Sequence, residues 1–201
     1  METKQHWETV YETKQPSEVS WTQEIPQTSL DYIESFNLPK DAAIIDIGGG
    51  DSNLVDYLLE LGYTNITVLD ISSTALERAK TRLKNKAMLV KWIVCDITNF
   101  EPTEKYDVWH DRATFHFLIS DEQIRIYKNL VNNAAYKYLV IGTFSTTGPI
   151  KCSGLEIKQY DEAMLIELFN THFNKLDCIC QTHETPFSTT QDFAFCAFIK
   201  K

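Results

Sequence analysis

The sequence predicts an α/β fold in which a mostly parallel sheet of seven strands is covered by helices on both faces. Short apolar runs alternate with helical patterns between residues 40 and 145, which is typical of repeated β-α units. A glycine-rich turn separates the first of these runs from its helix. The chain has 201 residues, of which 43% are hydrophobic, so one sizeable core and a single domain over residues 1–201 are expected.

The composition narrows the class of protein. Lysine and arginine number 19 against 28 aspartates and glutamates, and the net charge of −9 disfavours nucleic acid and favours cationic or small neutral partners. No run approaches the ~20 apolar residues of a membrane span, and the polar start lacks the apolar core of a signal peptide. We therefore expect a cytoplasmic protein that does not contact membranes.

The five cysteines form no C-x-x-C pair, which disfavours zinc and dithiol chemistry. We expect reduced and mostly buried thiols, and no metal site.

The N-terminal segment, residues 1–24, is polar with spaced aromatic side chains. Trp7, Tyr11 and Trp21 are its large apolar residues. We expect either a lid that folds over a ligand and excludes water, or plain packing against the sheet edge. Residues 26–36 then carry apolar side chains at helical spacing and predict a helix before the core.

Strands and helices alternate through the core. The predicted strands are residues 42–47, 65–71, 87–97, 106–111 and 136–144, and the predicted helices are residues 52–62, 73–83 and 121–131. Gly62 is expected to end the first of these helices, and Ser72 or Ser73 to cap the second.

The pattern changes after residue 144. A turn-rich loop at 145–160 is followed by a helix near 161–169 and by two strand-like runs at 175–184 and 192–200. The two runs are expected to form an antiparallel pair that closes the sheet edge. Loops of this kind shape binding sites, so residues 146–201 are expected to face a substrate.

The glycine-rich turn lies where an open α/β sheet binds ligands, beyond the carboxyl end of a strand. Gly48, Gly49 and Gly50 lack a Cβ, which lets the backbone turn tightly and approach a ligand. A dinucleotide-binding loop, G-x-G-x-x-G, would need a further glycine where Asn53 stands. Asp51 would add negative charge beside the phosphates, so a nicotinamide enzyme is a disfavoured alternative.

The stretch Asp46-Ile47-Gly48-Gly49-Gly50 fits D-x-G-x-G and resembles the glycine-rich motif of class I S-adenosylmethionine-dependent methyltransferases. Asp70 ends the second strand 20 positions after Gly50, which suits an acceptor for both ribose hydroxyls. The resemblance implies that Asp96, at the end of the third strand, meets the adenine amino group. The cofactor-binding residues predicted in this way are Asp46, Gly48, Gly49, Gly50, Asp70, Ile71, Cys95, Asp96, Ile97, His110 and Trp21.

The resemblance covers residues 40–145, the predicted cofactor-binding core, and carries expectations for the whole chain. It implies S-adenosylmethionine as cofactor and S-adenosylhomocysteine as product. It also implies a Rossmann-like three-layer sandwich with strand order 3-2-1-4-5-7-6 and an antiparallel last strand. The segments "HW", "VY", "DIGGGDS" and "HDRATFHFL" resemble small bacterial members of unassigned acceptor. The run Asp111-Arg112-Ala113-Thr114 is more loosely similar to lysine methyltransferases of elongation factor and citrate synthase type.

The end of the fourth strand, "YDVWHDRATFHFL", lies under the departing methyl group in this family and supplies the acceptor side. It has no N-P-P-Y-like tetrad, which argues against adenine and glutamine amide acceptors. The catalytic candidates are Asp111, His110, Arg112 and His116. A base is needed only if the nucleophile arrives protonated, and Asp111 or a histidine would then accept the proton. A structural Asp111–Arg112 ion pair and structural histidines are the competing interpretations.

Three functions follow from the sequence. The first is methyl transfer to a small-molecule or protein-lysine acceptor. The second is binding of S-adenosylmethionine without catalysis, because binding residues and acceptor residues are separate. The third, disfavoured by Asn53 and the acidic strand ends, is a nicotinamide enzyme.

Overall fold

The computed structural model describes residues 2–201 and shows the predicted α/β architecture. Its helices are α1 (Glu2–Thr13), α2 (Gln27–Ser35), α3 (Leu54–Glu60), α4 (Ser73–Leu83), α5 (Asp121–Ala134) and α6 (Glu162–Phe169). Its strands are β1 (Ala43–Ile47), β2 (Asn65–Asp70), β3 (Val90–Val94), β4 (Tyr106–Arg112), β5 (Ala135–Phe144), β6 (Lys151–Cys152), β7 (Leu155–Glu156), β8 (Phe173–Glu184) and β9 (Thr190–Lys200).

Seven strands form one sheet in the order β3-β2-β1-β4-β5-β9-β8, and β6 pairs with β7 in a small separate hairpin. Strands β1 to β5 run parallel, whereas β9 is antiparallel to both β5 and β8. The predicted order 3-2-1-4-5-7-6 is therefore confirmed once the two short strands are left out of the numbering.

The core lies on both faces of the sheet, because neighbouring residues of one strand point to opposite sides. Ile45 and Trp109 pack on one face beneath α5 and α6. Ile44 and Val108 pack on the other face beneath α2, α3 and α4. All four side chains are fully buried, as expected for parallel strands covered by helices on both sides.

Local sequence signals set several helix ends as predicted. The Ser72 hydroxyl caps α4 by accepting from the Ala75 N–H at 3.1 Å. Gly62, with φ +87°, follows the last turn of α3.

The N-terminal segment differs from the prediction, because residues Glu2–Thr13 form a helix that the polar composition did not indicate. Val10 and Tyr11 are each 7% exposed, and Trp7 precedes them by three and four positions, so one face of α1 packs inward.

The predicted strand at 87–97 is shorter than expected. Its first part belongs to a 3-10 turn, Lys84–Leu89, and only Val90–Val94 pairs with β2.

The expectation of reduced thiols is wrong for two of the five cysteines. Cys178 on β8 and Cys196 on β9 lie directly opposite each other, with Cα atoms 4.1 Å apart, and form a disulfide. This pairing depends on the register of two antiparallel strands, which the sequence alone does not fix. The remaining cysteines are partly buried Cys95, buried Cys152 and exposed Cys180.

Within residues 2–201, no helix is both long enough and apolar enough to cross a bilayer.

Candidate cofactor and acceptor site

A cavity of about 310 Å³ lies at the carboxyl ends of the central parallel strands. Its floor is the glycine-rich turn and the ends of β1, β2, β3 and β4, and its roof is the N-terminal segment, here residues 2–24. The predicted site residues that line it are Asp46, Gly48, Gly49, Asp70, Ile71, Cys95, Asp96, Ile97, His110, Arg112 and Trp21. Elements far apart in the chain thus bring most of the predicted residues to one place.

The glycines are required by close contacts within the protein as well as by the turn. Gly48 and Gly50 have φ values of +64° and +50°, which side chains rarely adopt. A Cβ on Gly49 would lie 2.6 Å from Asp46 Oδ2, and one on Gly50 would lie 2.6 Å from the Tyr11 hydroxyl. The turn therefore fits tightly between a strand-end acid and α1, while Gly48 and Gly49 line the cavity.

Two of the strand-end acids, Asp70 and Asp96, line the cavity and also accept hydrogen bonds from the turns that follow them. Asp70 Oδ1 accepts from the Ser72 N–H at 2.8 Å, and Asp96 Oδ1 accepts from the Thr98 N–H at 2.9 Å. Asp70 is only 6% exposed, and burial raises the pKa of its carboxyl to about 7 despite that hydrogen bond. Both acids therefore lie at strand ends that line the cavity, and their contacts with ribose and adenine stay predictions.

The third strand-end acid, Asp46, belongs to a buried hydrogen-bonded chain. Its Oδ1 lies 2.7 Å from His110 Nδ1, and His110 Nε2 lies 2.8 Å from the Ser29 hydroxyl. The pairing of β1 with β4 places Asp46 beside His110, and α2 supplies Ser29. Both ring nitrogens of His110 are engaged, so the imidazole is fixed in orientation.

Asp111, a predicted catalytic candidate, lies behind the cavity. It is fully buried, and its Oδ1 accepts from the Thr114 and Phe115 N–H groups at 3.0 and 3.1 Å. Its Oδ2 accepts from the Tyr127 hydroxyl at 2.6 Å. Burial raises the pKa of Asp111 to about 6. This placement favours a structural role for Asp111 in shaping the loop after β4, and its role as a base stays a prediction.

His116, another candidate, is also fully buried and does not line the cavity. Its ring stacks on Phe144 at a centroid distance of 4.6 Å, and its Nδ1 accepts from the Phe144 N–H at 3.3 Å. Burial and the nearby charge of Arg112 lower the pKa of His116 to about 3. A neutral imidazole packed in this way favours a structural role, and the catalytic role of His116 stays a prediction.

Arg112 does reach the cavity, and the ion pair with Asp111 that the sequence suggested as an alternative does not form. Its Nη1 donates to the carbonyl oxygen of Trp21 at 2.9 Å. Its Nη2 is buried and has no hydrogen-bond partner among the described residues. Burial lowers the pKa of the guanidinium to about 10.

The N-terminal segment covers the cavity with aromatic side chains. The Trp7 ring lies 5.7 Å from the Trp21 ring and 5.1 Å from the Phe117 ring, and Tyr11 lies 6.3 Å from Trp21. Trp7, Tyr11, Trp21 and Phe117 all line the cavity. The segment therefore covers the cavity, and its action as a lid stays a prediction.

Glu8 anchors this segment to the core. Its carboxylate accepts from both Ser72 and Ser73 hydroxyls at 2.7 Å and from the N–H groups of Ser73 and Thr74 at 2.8 and 3.0 Å. Partial burial opposes ionisation, but these hydrogen bonds lower the pKa of Glu8 to about 2. An acid of α1 therefore caps the N-terminus of α4, where a negative charge is favourable.

Comparison with known proteins assigns the core of the chain to a family. Residues 44–134 match the model of a methyltransferase domain. The core of the chain, residues 44–134, therefore carries a methyltransferase domain. This agrees with the resemblance seen in the glycine-rich turn and the strand-end acids.

The relatives of this methyltransferase domain differ in what they act on. Human EEF1A lysine methyltransferase 2 is 25% identical over 157 residues, covering 72% of this chain and 66% of the relative. Malonyl-[acyl-carrier protein] O-methyltransferase 1 of Ilyobacter polytropus is 32% identical over 128 residues, covering 62% and 46%. The chain thus spans about half to two thirds of the length of these relatives.

A solved structure supports the fold over the full chain. The 1,6-didemethyltoxoflavin-N1-methyltransferase of Burkholderia thailandensis, solved with S-adenosylhomocysteine, has a TM-score of 0.74 at 16% identity and covers 99% of this chain and 87% of its own.

The residues of the cavity fit S-adenosylmethionine, the cofactor of such domains. The glycine cradle leaves no room for a Cβ, and three acids line the cavity at the ends of three adjacent strands. The cofactor's ribose hydroxyls, adenine amino group and ammonium are donors, and carboxylates accept from donors.

Sequence reasoning missed several residues of the site. Ser29 lines the cavity from α2, Glu8 fixes the roof of the cavity to the start of α4, and Asp111 lies outside the cavity, hydrogen-bonded to Tyr127. Glu8 carried a weak signal, since it stands next to Trp7 in the aromatic segment, but Ser29 carried none.

Proposed function

We propose that this protein transfers a methyl group from S-adenosylmethionine to a small-molecule or protein-lysine acceptor by in-line displacement. The observation that carries the proposal is the convergence of Asp46, Asp70 and Asp96 with the glycine-rich turn on one cavity. When bound there, the cofactor would supply a methyl group activated on a sulfonium.

The chain's own residues divide the work of binding. Asp70 accepts hydrogen bonds from the ribose hydroxyls, and Asp96 accepts one from the adenine amino group. Ile71, Cys95 and Ile97 lie beside these acids in the cavity wall. The Asp46–His110–Ser29 chain fixes a polar wall at the end of the cavity nearest β4.

The N-terminal segment is proposed to act as a lid that excludes water. In-line displacement needs alignment of the acceptor and a dry site more than it needs acid or base chemistry. The aromatic side chains Trp7, Tyr11 and Trp21 supply an apolar roof. Glu8 holds the roof on α4.

The acceptor side is built around His110 and Arg112, which line the cavity. Asp111 and His116 are proposed as positioning residues that shape the loop after β4 and the end of β5. An acceptor that arrives unprotonated would need no base in this arrangement.

Two acceptor classes are supported by different observations. The EEF1A lysine methyltransferase among the relatives favours a protein lysine. The toxoflavin-related structural neighbour and the roofed cavity favour a small molecule.

A cytoplasmic location is proposed from the composition alone. The Cys178–Cys196 disulfide argues in the other direction, because disulfides are rare in reducing compartments.

Calorimetric titration of the purified protein with S-adenosylhomocysteine, and with NAD as comparison, tests the proposal. We expect saturable binding of S-adenosylhomocysteine and none of NAD. The reverse preference would reinstate the nicotinamide alternative. Cofactor binding without transfer to any acceptor would favour the non-catalytic alternative.

A further inference from the structure

One donor of the Arg112 guanidinium, Nη2, is buried and makes no hydrogen bond among the described residues. Its Nη1 is used by the Trp21 carbonyl. A buried polar group without a partner costs free energy, and more so when the group is charged. Arg112 lines the cavity, so a small movement of its side chain would bring Nη2 to a ligand there.

Arg112 also has no ion-pair partner, although the more distant Asp46 carboxylate favours its charged form. No carboxylate of the described residues lies within 4.0 Å of Arg112, whereas Arg82, the other arginine lining the cavity, pairs with Asp56 at 2.7 Å. The positive charge of Arg112 helps to lower the pKa values of His116 and His183, which favours their neutral forms. Burial raises the pKa of the neighbouring Cys152 thiol to about 12, so Cys152 supplies no anion.

The guanidinium lies on the acceptor side of the cavity. Its central carbon is 5.0 Å from the ring centre of Phe193, on β9, and Cys152 of the β6–β7 hairpin lines the same wall. The ribose- and adenine-binding acids lie at the ends of β2 and β3, on the other side of β1 in the sheet. The unpaired donor is therefore separated from the part of the cavity assigned to the nucleoside.

We propose that the methyl acceptor is a small molecule with an anionic oxygen group, a carboxylate or a phosphate, that binds Nη2 of Arg112. The proposal rests on the proposed function and names the substrate class of the same site. Arginine suits this task because its donors match carboxylate and phosphate oxygens. Trp21 and Phe117 line the cavity and would contact an apolar part of the acceptor beside its anionic group.

A lysine side chain is disfavoured by the same charge. An ammonium brought beside a buried, unpaired guanidinium would be repelled at short range. The net charge of −9 favours cations at the surface, but the guanidinium of Arg112 lines the cavity and has no carboxylate within ion-pair distance among the described residues.

The test uses the full chain loaded with S-adenosylhomocysteine and three matched probes: benzoate, phenyl phosphate and the neutral analogue benzamide. Their affinities are measured by calorimetry for the wild type, Arg112→Met, Arg112→Lys and the exposed control Arg125→Met. We expect the wild type and Arg125→Met to prefer an anionic probe over benzamide by about tenfold or more, as a charge-assisted hydrogen bond predicts. Arg112→Met should lose this preference, and Arg112→Lys should retain part of it.

The same experiment contains the results that overturn the inference. Equal binding of anionic and neutral probes by the wild type, no binding of any probe, or a preference that survives Arg112→Met would each contradict it. A loss of S-adenosylhomocysteine affinity in Arg112→Met, with methylthioadenosine binding unchanged, would assign the guanidinium to the cofactor's carboxylate instead. Failure of the wild type to bind S-adenosylhomocysteine would contradict the proposed function itself. Arg112→Lys keeps a cation and serves if Arg112→Met does not fold.

Discussion

Asp70 is the residue on which the cofactor assignment depends most. Replacing it with alanine leaves the ribose hydroxyls without their acceptor, and we expect a loss of about 1–3 kcal/mol in the free energy of S-adenosylhomocysteine binding. Calorimetry measures this loss, with exposed Asp41→Asn as the control. Unchanged affinity in Asp70→Ala would contradict the assignment.

The pH dependence of cofactor binding is a second test of Asp70. Burial raises the pKa of its carboxyl to about 7, and hydroxyl donors favour the ionised form. When Asp70 is protonated, it must lose that proton before the cofactor binds. The affinity for the cofactor should therefore fall as the pH drops through about 7. Asp70→Asn should remove this dependence, and a wild-type affinity that does not change between about pH 8 and about pH 6 would contradict it.

The burial of His116 predicts how the free energy of unfolding depends on pH. Its pKa is lowered from 6.5 to about 3 by burial and by Arg112, so the unfolded chain binds the proton first as the pH falls. The contribution of neutral His116 to the free energy of unfolding is fully present above pH 6.5 and is lost on acidification towards pH 3. Between about pH 7 and about pH 5 this amounts to about 2 kcal/mol in the free energy of unfolding.

Urea unfolding of His116→Phe at both pH values measures that loss. The variant keeps the stacking on Phe144 and loses one hydrogen bond at both pH values. We expect its stability to fall less on acidification than that of the wild type. The exposed control His172→Gln should behave like the wild type, and an equal fall in His116→Phe would show that His116 is not buried as a neutral ring.

At this scale the sequence predicts the placement of the strand-end acids better than that of the polar residues after β4. Asp46, Asp70 and Asp96 follow strands at characteristic spacing, and their places follow from the strand ends. Ser29 depends on how α2 packs against β4, and Asp111 on its bond with Tyr127. Such tertiary contacts leave no local pattern in the sequence.

Among the elements, α1 carries the lid proposal. Glu8→Ala removes the acceptor for four donors at the start of α4, and loss of a helix cap costs about 1 kcal/mol. We expect faster proteolysis of the N-terminal segment and weaker S-adenosylhomocysteine binding. Glu12→Ala, exposed on the same helix, is the control.

Deletion of residues 1–20 should abolish cofactor binding, and near-normal affinity after the deletion would refute the lid.

The disulfide between β8 and β9 predicts how many thiols of the protein react before and after reduction. Because Cys178 and Cys196 form a disulfide, three thiols should react with maleimide in denatured, unreduced protein, and five after reduction. Mass spectrometry counts the adducts. Five adducts without reduction would show that the two strands carry free thiols.

The elements were predicted where apolar periodicity is strong. Strands β1, β2 and β4 and helix α4 fall within about one residue of the expected bounds. Helix α1 was missed because its inward face is short and aromatic in an otherwise polar segment. The disulfide was missed because the register of β8 against β9 is set by the fold.

Over the whole molecule, the sheet order follows from β-α alternation together with the family resemblance, and the structure confirms it. The charge distribution does not follow in the same way. A net charge of −9 disfavours anionic partners, yet the folding of β4 beside β5 places one guanidinium without an ion-pair partner among the described residues at the cavity. Composition describes the surface, whereas the acceptor site depends on the interior.

The most direct test of methyl transfer is incubation of the purified protein with methyl-labelled S-adenosylmethionine and a cell extract, with Asp70→Ala alongside. The extract is then separated into protein, anionic small-molecule and other small-molecule fractions. The account predicts label in the anionic small-molecule fraction, and much less of it with Asp70→Ala. Label that reaches no fraction above the level of Asp70→Ala, although the wild type binds S-adenosylhomocysteine, would contradict the account.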